Sequence, residues 1–123
     1  PEAVELIKKN KEKFHLDNIT VIRTKAPEGL MDLKMPTHAF IGGSGGNMKE
    51  IIETLHQINP GMRIVINAVS IETLCEIKEI LMAYPVCDTE FVQLQVSRVK
   101  ELGTYHMMQA ENPIFVCAFN FGG

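Results

Sequence analysis

The chain lacks an excess of positive charge, any paired cysteine motif, any long apolar run, any repeat and any low-complexity tract. Twelve Lys and Arg stand against fifteen Asp and Glu, for a formal charge of −3. No basic face emerges, so the electrostatic footprint of a nucleic-acid binder is missing. Lys8, Lys9, Lys11 and Lys13 cluster, but that spacing describes one solvated helix face. Cys75, Cys87 and Cys117 form no CxxC pair and read as reduced, mostly buried thiols of a cytoplasmic protein. Apolar runs such as "IVINAV" fall far short of the roughly 18 residues that span a bilayer, and no signal peptide is visible. His15, His38 and His56 share no ligand spacing, so no protein-bound metal is expected.

What is present is a globular composition. Apolar residues make up 46% of 123 positions, enough for one domain over 1–123 with a modest core. The chain opens at Pro1-Glu2, within a helix start and without an initiator Met, and is expected to be a fragment. Residues 1–16 read as a helix with Val4, Ile7 and Phe14 on one face. "ITVIR", 19–23, is β-branched and predicts a strand, and "APEGLMDL", 26–33, a short helix or turn. "HAFIGG" predicts a strand. The next helix has Asn47 as cap, Glu50 as capping-box partner and a stripe of Met48, Ile51, Ile52, Leu55 and Ile58, ending at Asn59-Pro60-Gly61. "MRIVINAV" is a continuous apolar strand. Ser70 caps a helix that buries Ile71, Leu74, Cys75, Ile77 and Leu81. "EFVQLQVSR" alternates with period two, and "PIFVCAFNF" is a last strand. Alternating helices and strands predict a parallel α/β sheet, closed by an antiparallel pair at its edge.

The densest signal is "HAFIGGSGGNMKE", 38–50, where a strand meets a glycine run and then a helix. A Walker loop fails because Asn47 stands where its second glycine belongs, and GxGxxG fails at Met48. Gly42-Gly43-Ser44-Gly45-Gly46 does match the nucleophile elbow GxSxG, with Asp88 and His106 following in triad order. That reading makes Ser44 an acyl-transfer nucleophile, but it lacks the HGGG-type oxyanion segment. The third reading needs no named motif. Open α/β sheets bind ligands beyond the carboxyl ends of their strands, and glycines there let a ligand approach the backbone.

"FIGGSGGNMKEII", "NPGMRIVINAVSIETLCEI" and "VSRVKELGTYHMMQAENPIF", together with "APEGL", closely resemble the decarboxylating cobalt-precorrin-6B (precorrin-6Y) C15-methyltransferases of cobalamin biosynthesis. The resemblance covers essentially the whole chain. It implies a class I S-adenosylmethionine-dependent methyltransferase domain. That is a Rossmann-like three-layer sandwich whose sheet is ordered 3-2-1-4-5-7-6, mostly parallel, with the seventh strand antiparallel. The family's GxGxG turn and ribose-binding acid are not in this sequence, so the first βαβ unit is expected to be missing and 1–123 to be the C-terminal portion. The edge this leaves is expected to be closed over, swapped with another copy, or completed by a longer protein.

The same resemblance implies the roles of individual residues. S-adenosylmethionine would donate a methyl group to carbon 15 of a precorrin tetrapyrrole, and an acetate side chain would lose carbon dioxide. Ala26, Pro27, Gly42 and Gly43 would contact the cofactor, although Lys25 replaces the acid that precedes the alanine in many relatives. Ser44, Gly45 and Asn67 would face the reacting centre. Arg98, His106 and Met107 would hold the carboxylate-rich ring, with Lys100 and Met108 nearby. A homo-oligomer is expected, with no membrane or nucleic-acid partner. The alternatives are a non-catalytic oligomerising fragment of such an enzyme and a serine hydrolase using Ser44.

Overall fold

The structure is a computed structural model that describes residues 2–42 and 46–122. Gly43, Ser44 and Gly45 lie outside the described residues, as do Pro1 and Gly123. The elements run in chain order as α1 (Glu2–Lys13), a 3₁₀ turn (Leu30–Asp32), β1 (His38–Gly42), α2 (Met48–Ile58), β2 (Arg63–Ala68), α3 (Ile71–Ala83), β3 (Val86–Leu94), β4 (Ser97–Leu102), β5 (Tyr105–Ala110) and β6 (Ile114–Phe121).

Four strands form one sheet in the order β1-β2-β6-β3. β1 and β2 are parallel, and β6 runs antiparallel to both β2 and β3. Three strands therefore point one way with β6 inserted against them, which is the 4-5-7-6 half of the order implied by the resemblance. Crossovers through α2 and α3 carry the chain from β1 to β2 to β3.

The core follows from strand alternation. Ile41, Ile64, Ile66, Cys117 and Phe119 are buried on one face, against Met48, Ile51, Ile52 and Leu55 of α2 and Ile77 and Ile80 of α3. Asn59-Pro60-Gly61 ends α2 as expected. Gly61 N–H donates to Asn59 Oδ1, and the Asn59 amide donates to the Pro36 carbonyl. Ser70 caps α3, its hydroxyl accepting from Thr73 N–H at 3.1 Å.

Several expectations need correction. Residues 19–23 form no strand, and Ile19 and Ile22 are exposed. A β-branched run becomes a strand only against a neighbour, and no described strand pairs with it. It does not close over β1, whose second edge has no partner among the described residues. α1 ends at Lys13 rather than residue 16 and buries no side chain. On α3 the buried positions are Ile77 and Ile80, while Ile71 and Cys75 are exposed. Cys87 is exposed too, which leaves Cys117 as the one buried thiol.

The segment "EFVQLQVSR" breaks at Gln95-Val96 into β3 and β4. A second two-stranded sheet, β4–β5, is then inserted before β6. Gly103-Thr104 turns that hairpin with Gly103 at φ 62, a left-handed value that suits glycine in a two-residue turn. Asn47 is the α2 cap residue by position, but its side chain makes no cap bond. Its amide instead donates to the Ala26 carbonyl at 3.3 Å.

Candidate functional site

β1, β2 and β3 all end at the same edge of the sheet, and β6 begins there. That is where an open α/β sheet presents its ligand crevice. The cross-strand register puts Gly42, the last residue of β1, directly beside Asn67 of β2, and Asn67 beside Val116 of β6. Two residues singled out for the cofactor and the reacting centre are thus nearest neighbours.

Ala26 and Pro27 are half-buried, and the Asn47 bond ties the Ala26 carbonyl to the start of α2. Gly46, just before, has φ 91, where a side chain would be strained. The amino end of the α2 dipole follows Asn47 and so lies close to the 26–27 turn that Asn47 holds. Gly42 and Asn67 therefore form one shelf, and Ala26 is tied to the start of the helix that follows β1. Ser44, Gly43 and Gly45, expected at its centre, lie outside the described residues.

The sequence reading missed Phe40. It sits two residues before Gly42 on the face of the sheet away from the helices, 68% exposed. A Cβ on Gly42 would come within 3.0 Å of its ring, so that ring borders the shelf. The alternation of "HAFIG" could have flagged it, since Phe40 falls out of phase with buried Ile41.

A cleft of about 350 Å³ opens at the same edge of the sheet. Val69, Leu94, Val96 and Ile114 give it an apolar floor, and Arg98, Glu111 and Asn112 supply polar groups. Val69 of its lining lies two residues beyond Asn67 in the chain. From β1 to β3 the rim spans three strand spacings, roughly 14 Å.

The substrate candidates divide by face. Register pairs Arg98 with Gln109, Lys100 with Met107 and Leu102 with Tyr105. Directly opposed residues share a face, so Arg98, Lys100 and Met107 lie together on the side that meets the cleft. His106 pairs with Glu101 on the opposite side, where its Nε2 is 3.8 Å from the Glu101 carboxylate. His106 is therefore removed from the group that holds Arg98. Arg98 itself contacts Glu111, Nε to Oε1 at 3.3 Å.

The nominal triad is separated as well. Asp88 sits at a bulge near the start of β3, where its carbonyl accepts from Arg63 Nη1 at 2.8 Å. Arg63 opposes His38, the first residue of β1, so Asp88 lies at the amino end of the sheet. It is roughly 10 Å along the strands from Gly42. A hydrolase relay through Asp88 and His106 does not assemble. Among the described residues no group of three or more His, Cys, Asp or Glu could hold a metal, and no helix is long and apolar enough to cross a membrane.

Comparison with known proteins agrees with this geometry. The family described as "Precorrin methyltransferase domain" matches residues 1–120. The decarboxylating cobalt-precorrin-6B C(15)-methyltransferase of Salmonella typhi is 32% identical over 120 residues, 96% of this chain and 61% of that protein. The crystal structure of a precorrin-6Y C5,15-methyltransferase from Geobacter metallireducens superposes with a TM-score of 0.86 at 34% identity, over 98% of this chain and 63% of that one. A SAM-dependent O-methyltransferase from Thermotoga maritima shares the fold alone, with a TM-score of 0.73 at 17% identity. The chain thus spans about three fifths of the length of these precorrin relatives. With the methyltransferase sheet order, the shared carboxyl-edge rim and this match along 1–120, the chain belongs to the precorrin methyltransferase domain family.

Proposed function

We propose that these residues are the C-terminal portion of a cytoplasmic, S-adenosylmethionine-dependent methyltransferase that methylates carbon 15 of a precorrin tetrapyrrole and decarboxylates its acetate side chain. The observation that carries the reading is the pairing of Gly42 with Asn67 at the carboxyl edge of the sheet, the edge where Leu94 and Ile114 also line the Arg98 cleft.

The donor supplies an activated methyl on a sulfonium, so the protein's task is alignment, which is worth up to about 7–11 kcal/mol in favourable cases. Ala26, Pro27 and Gly42 would bound the donor, and the Asn47 tie would fix the 26–27 turn against α2. Asn67, half-buried at the strand end, would orient the reacting edge of the ring. Arg98 and Lys100 would bind substrate carboxylates, and Met107 on the same face would contact the ring plane. His106 keeps at most a peripheral role, because it faces away from Arg98.

We also infer a homo-oligomer, supported by the exposed apolar residues of β3 and of the β4–β5 hairpin.

The test is transfer of labelled methyl from S-adenosylmethionine to a precorrin acceptor, with carbon dioxide release followed in parallel, using the full chain that contains these residues. Asn67→Ala is expected to lower kcat by about tenfold to a hundredfold if alignment is its role. Absence of both methyl incorporation and carbon dioxide release in the unaltered protein overturns the proposal.

A further inference from the structure

We propose that Glu111 is a counter-ion built into the cleft, which holds the Arg98 guanidinium over it and gives way to a substrate carboxylate on binding. The inference rests on the substrate reading above and assigns a role to a residue outside the set it uses.

The hairpin geometry sets up the pair. Glu111 N–H donates to the Val96 carbonyl at 2.7 Å, which adds one more rung to the β4–β5 ladder. Arg98 is opposite Gln109. Residues 109 and 111 fall on one face of an extended strand, so Glu111 is the diagonal neighbour of Arg98 on the cleft side. Both line the cleft, together with Asn112 and the apolar side chains of Val69, Leu94 and Ile114.

The strength of the contact is that of an exchangeable pair. Its 3.3 Å separation exceeds the 2.7–2.9 Å of a tight charge-assisted bond. The two side chains are 78% and 54% exposed, so water competes for both. A bidentate carboxylate entering the cleft offers Arg98 a better partner than one oxygen at its Nε. A ring without carboxylates offers nothing in exchange and leaves the resident pair intact. Glu111 thereby keeps the guanidinium placed until a carboxylate replaces it, and breaking the resident pair sets how tightly Arg98 holds an incoming acid.

The experiment is a fluorescence titration of the full chain with uroporphyrin, a tetrapyrrole bearing acetate and propionate side chains. Four proteins are compared: unaltered, Glu111→Gln, Arg98→Gln and the double variant. Glu111→Gln is expected to tighten binding by about twofold to fivefold, the size of an exposed ion pair, with the gain shrinking at high salt. Arg98→Gln is expected to weaken binding by about tenfold. In the Arg98→Gln background the gain from Glu111→Gln should vanish. Unchanged or weaker binding in Glu111→Gln, with Arg98→Gln still impaired, overturns the counter-ion role alone. An equal gain in both backgrounds also overturns it, since that is a general charge effect. No binding by any of the four, including the unaltered protein, overturns the substrate reading and this inference with it.

Discussion

At the scale of single residues, burial sorts three chemically identical thiols into two kinds. Cys117 faces the core beside Ile66, and burial pushes its thiol up from about 9 to about 11. The neutral form is the one the core tolerates. An unfolded chain ionises this thiol near pH 9, whereas the folded one holds its proton to about pH 11. Its contribution to stability is therefore complete below pH 9 and is lost as pH rises from 9 through 11. Thermal midpoints are expected to fall across that window, and Cys117→Ala should flatten this part of the alkaline slope while lowering stability at neutral pH. Ellman's reagent at pH 8 should titrate Cys75 and Cys87 in the native protein and Cys117 only after denaturation. Rapid reaction of all three would show the core around Ile66 opening far more readily than its packing suggests. Arg63 is the second such residue. It is half-buried, and its Nη1 donates both to the Asp88 carbonyl and to Asn120 Oδ1, pinning the bulge of β3 to β2 across β6. Its contact with Glu90 at 3.9 Å is exposed on the Glu90 side and adds little. Arg63→Met should cost about 1–3 kcal/mol in urea denaturation, because two acceptors lose their donor. A loss below about 0.5 kcal/mol would mean that the bulge holds without the clamp.

At the scale of elements, what could be read from sequence was what the chain decides locally. α2 and α3 are bounded by signals a few residues long, Asn59-Pro60-Gly61 and Ser70, and both boundaries held. Asn47 shows the limit of such reasoning. It has the right identity and spacing for a capping box, yet a carbonyl twenty-one residues away takes its amide, and no local rule forecasts that partner. The β4–β5 hairpin shows a different limit. Its signal lies in "LGTY", a two-residue Gly-containing turn between apolar and polar residues, too short to stand out beside the longer strands on either side. The hairpin is a separate sheet, and its residues are exposed throughout. Damage to it should therefore be felt in binding rather than in global stability. Gly103→Val places a β-branched residue at φ 62, which costs the hairpin about 1–2 kcal/mol. We expect the thermal midpoint to stay nearly constant while uroporphyrin affinity falls severalfold, since Arg98 and Glu111 depend on the hairpin register. A large drop in the midpoint would instead make the hairpin part of the cooperative core.

At the scale of the whole molecule, the succession of elements predicts an α/β sheet with an antiparallel closing pair, while the order β1-β2-β6-β3 is the one the family resemblance implies. The division of the hairpin into two faces was not legible in the sequence, because it depends on a register set by Gly103-Thr104. That division separates two tasks. One face carries Arg98, Lys100 and Met107 toward the cleft. The other carries Val99 and Met108, 60% and 68% exposed and directly opposed, with the Glu101–His106 pair beside them. Apolar neighbours on a projecting ribbon are costly to leave in water, and a second copy presenting the same face satisfies them by symmetry. The homo-oligomer proposed above would thus use the Val99–Met108 face and leave the Arg98 face to the substrate. Sedimentation equilibrium of the full chain should show a concentration-dependent assembly, and Val99→Glu with Met108→Glu should dissociate it by placing like charges opposite one another in each interface. Uroporphyrin binding by the dissociated variant should persist within a fewfold, because its cleft residues are untouched. A monomer at every accessible concentration in the unaltered protein would refute the assembly. Loss of binding in step with dissociation would instead show that each cleft needs the neighbouring copy to be complete.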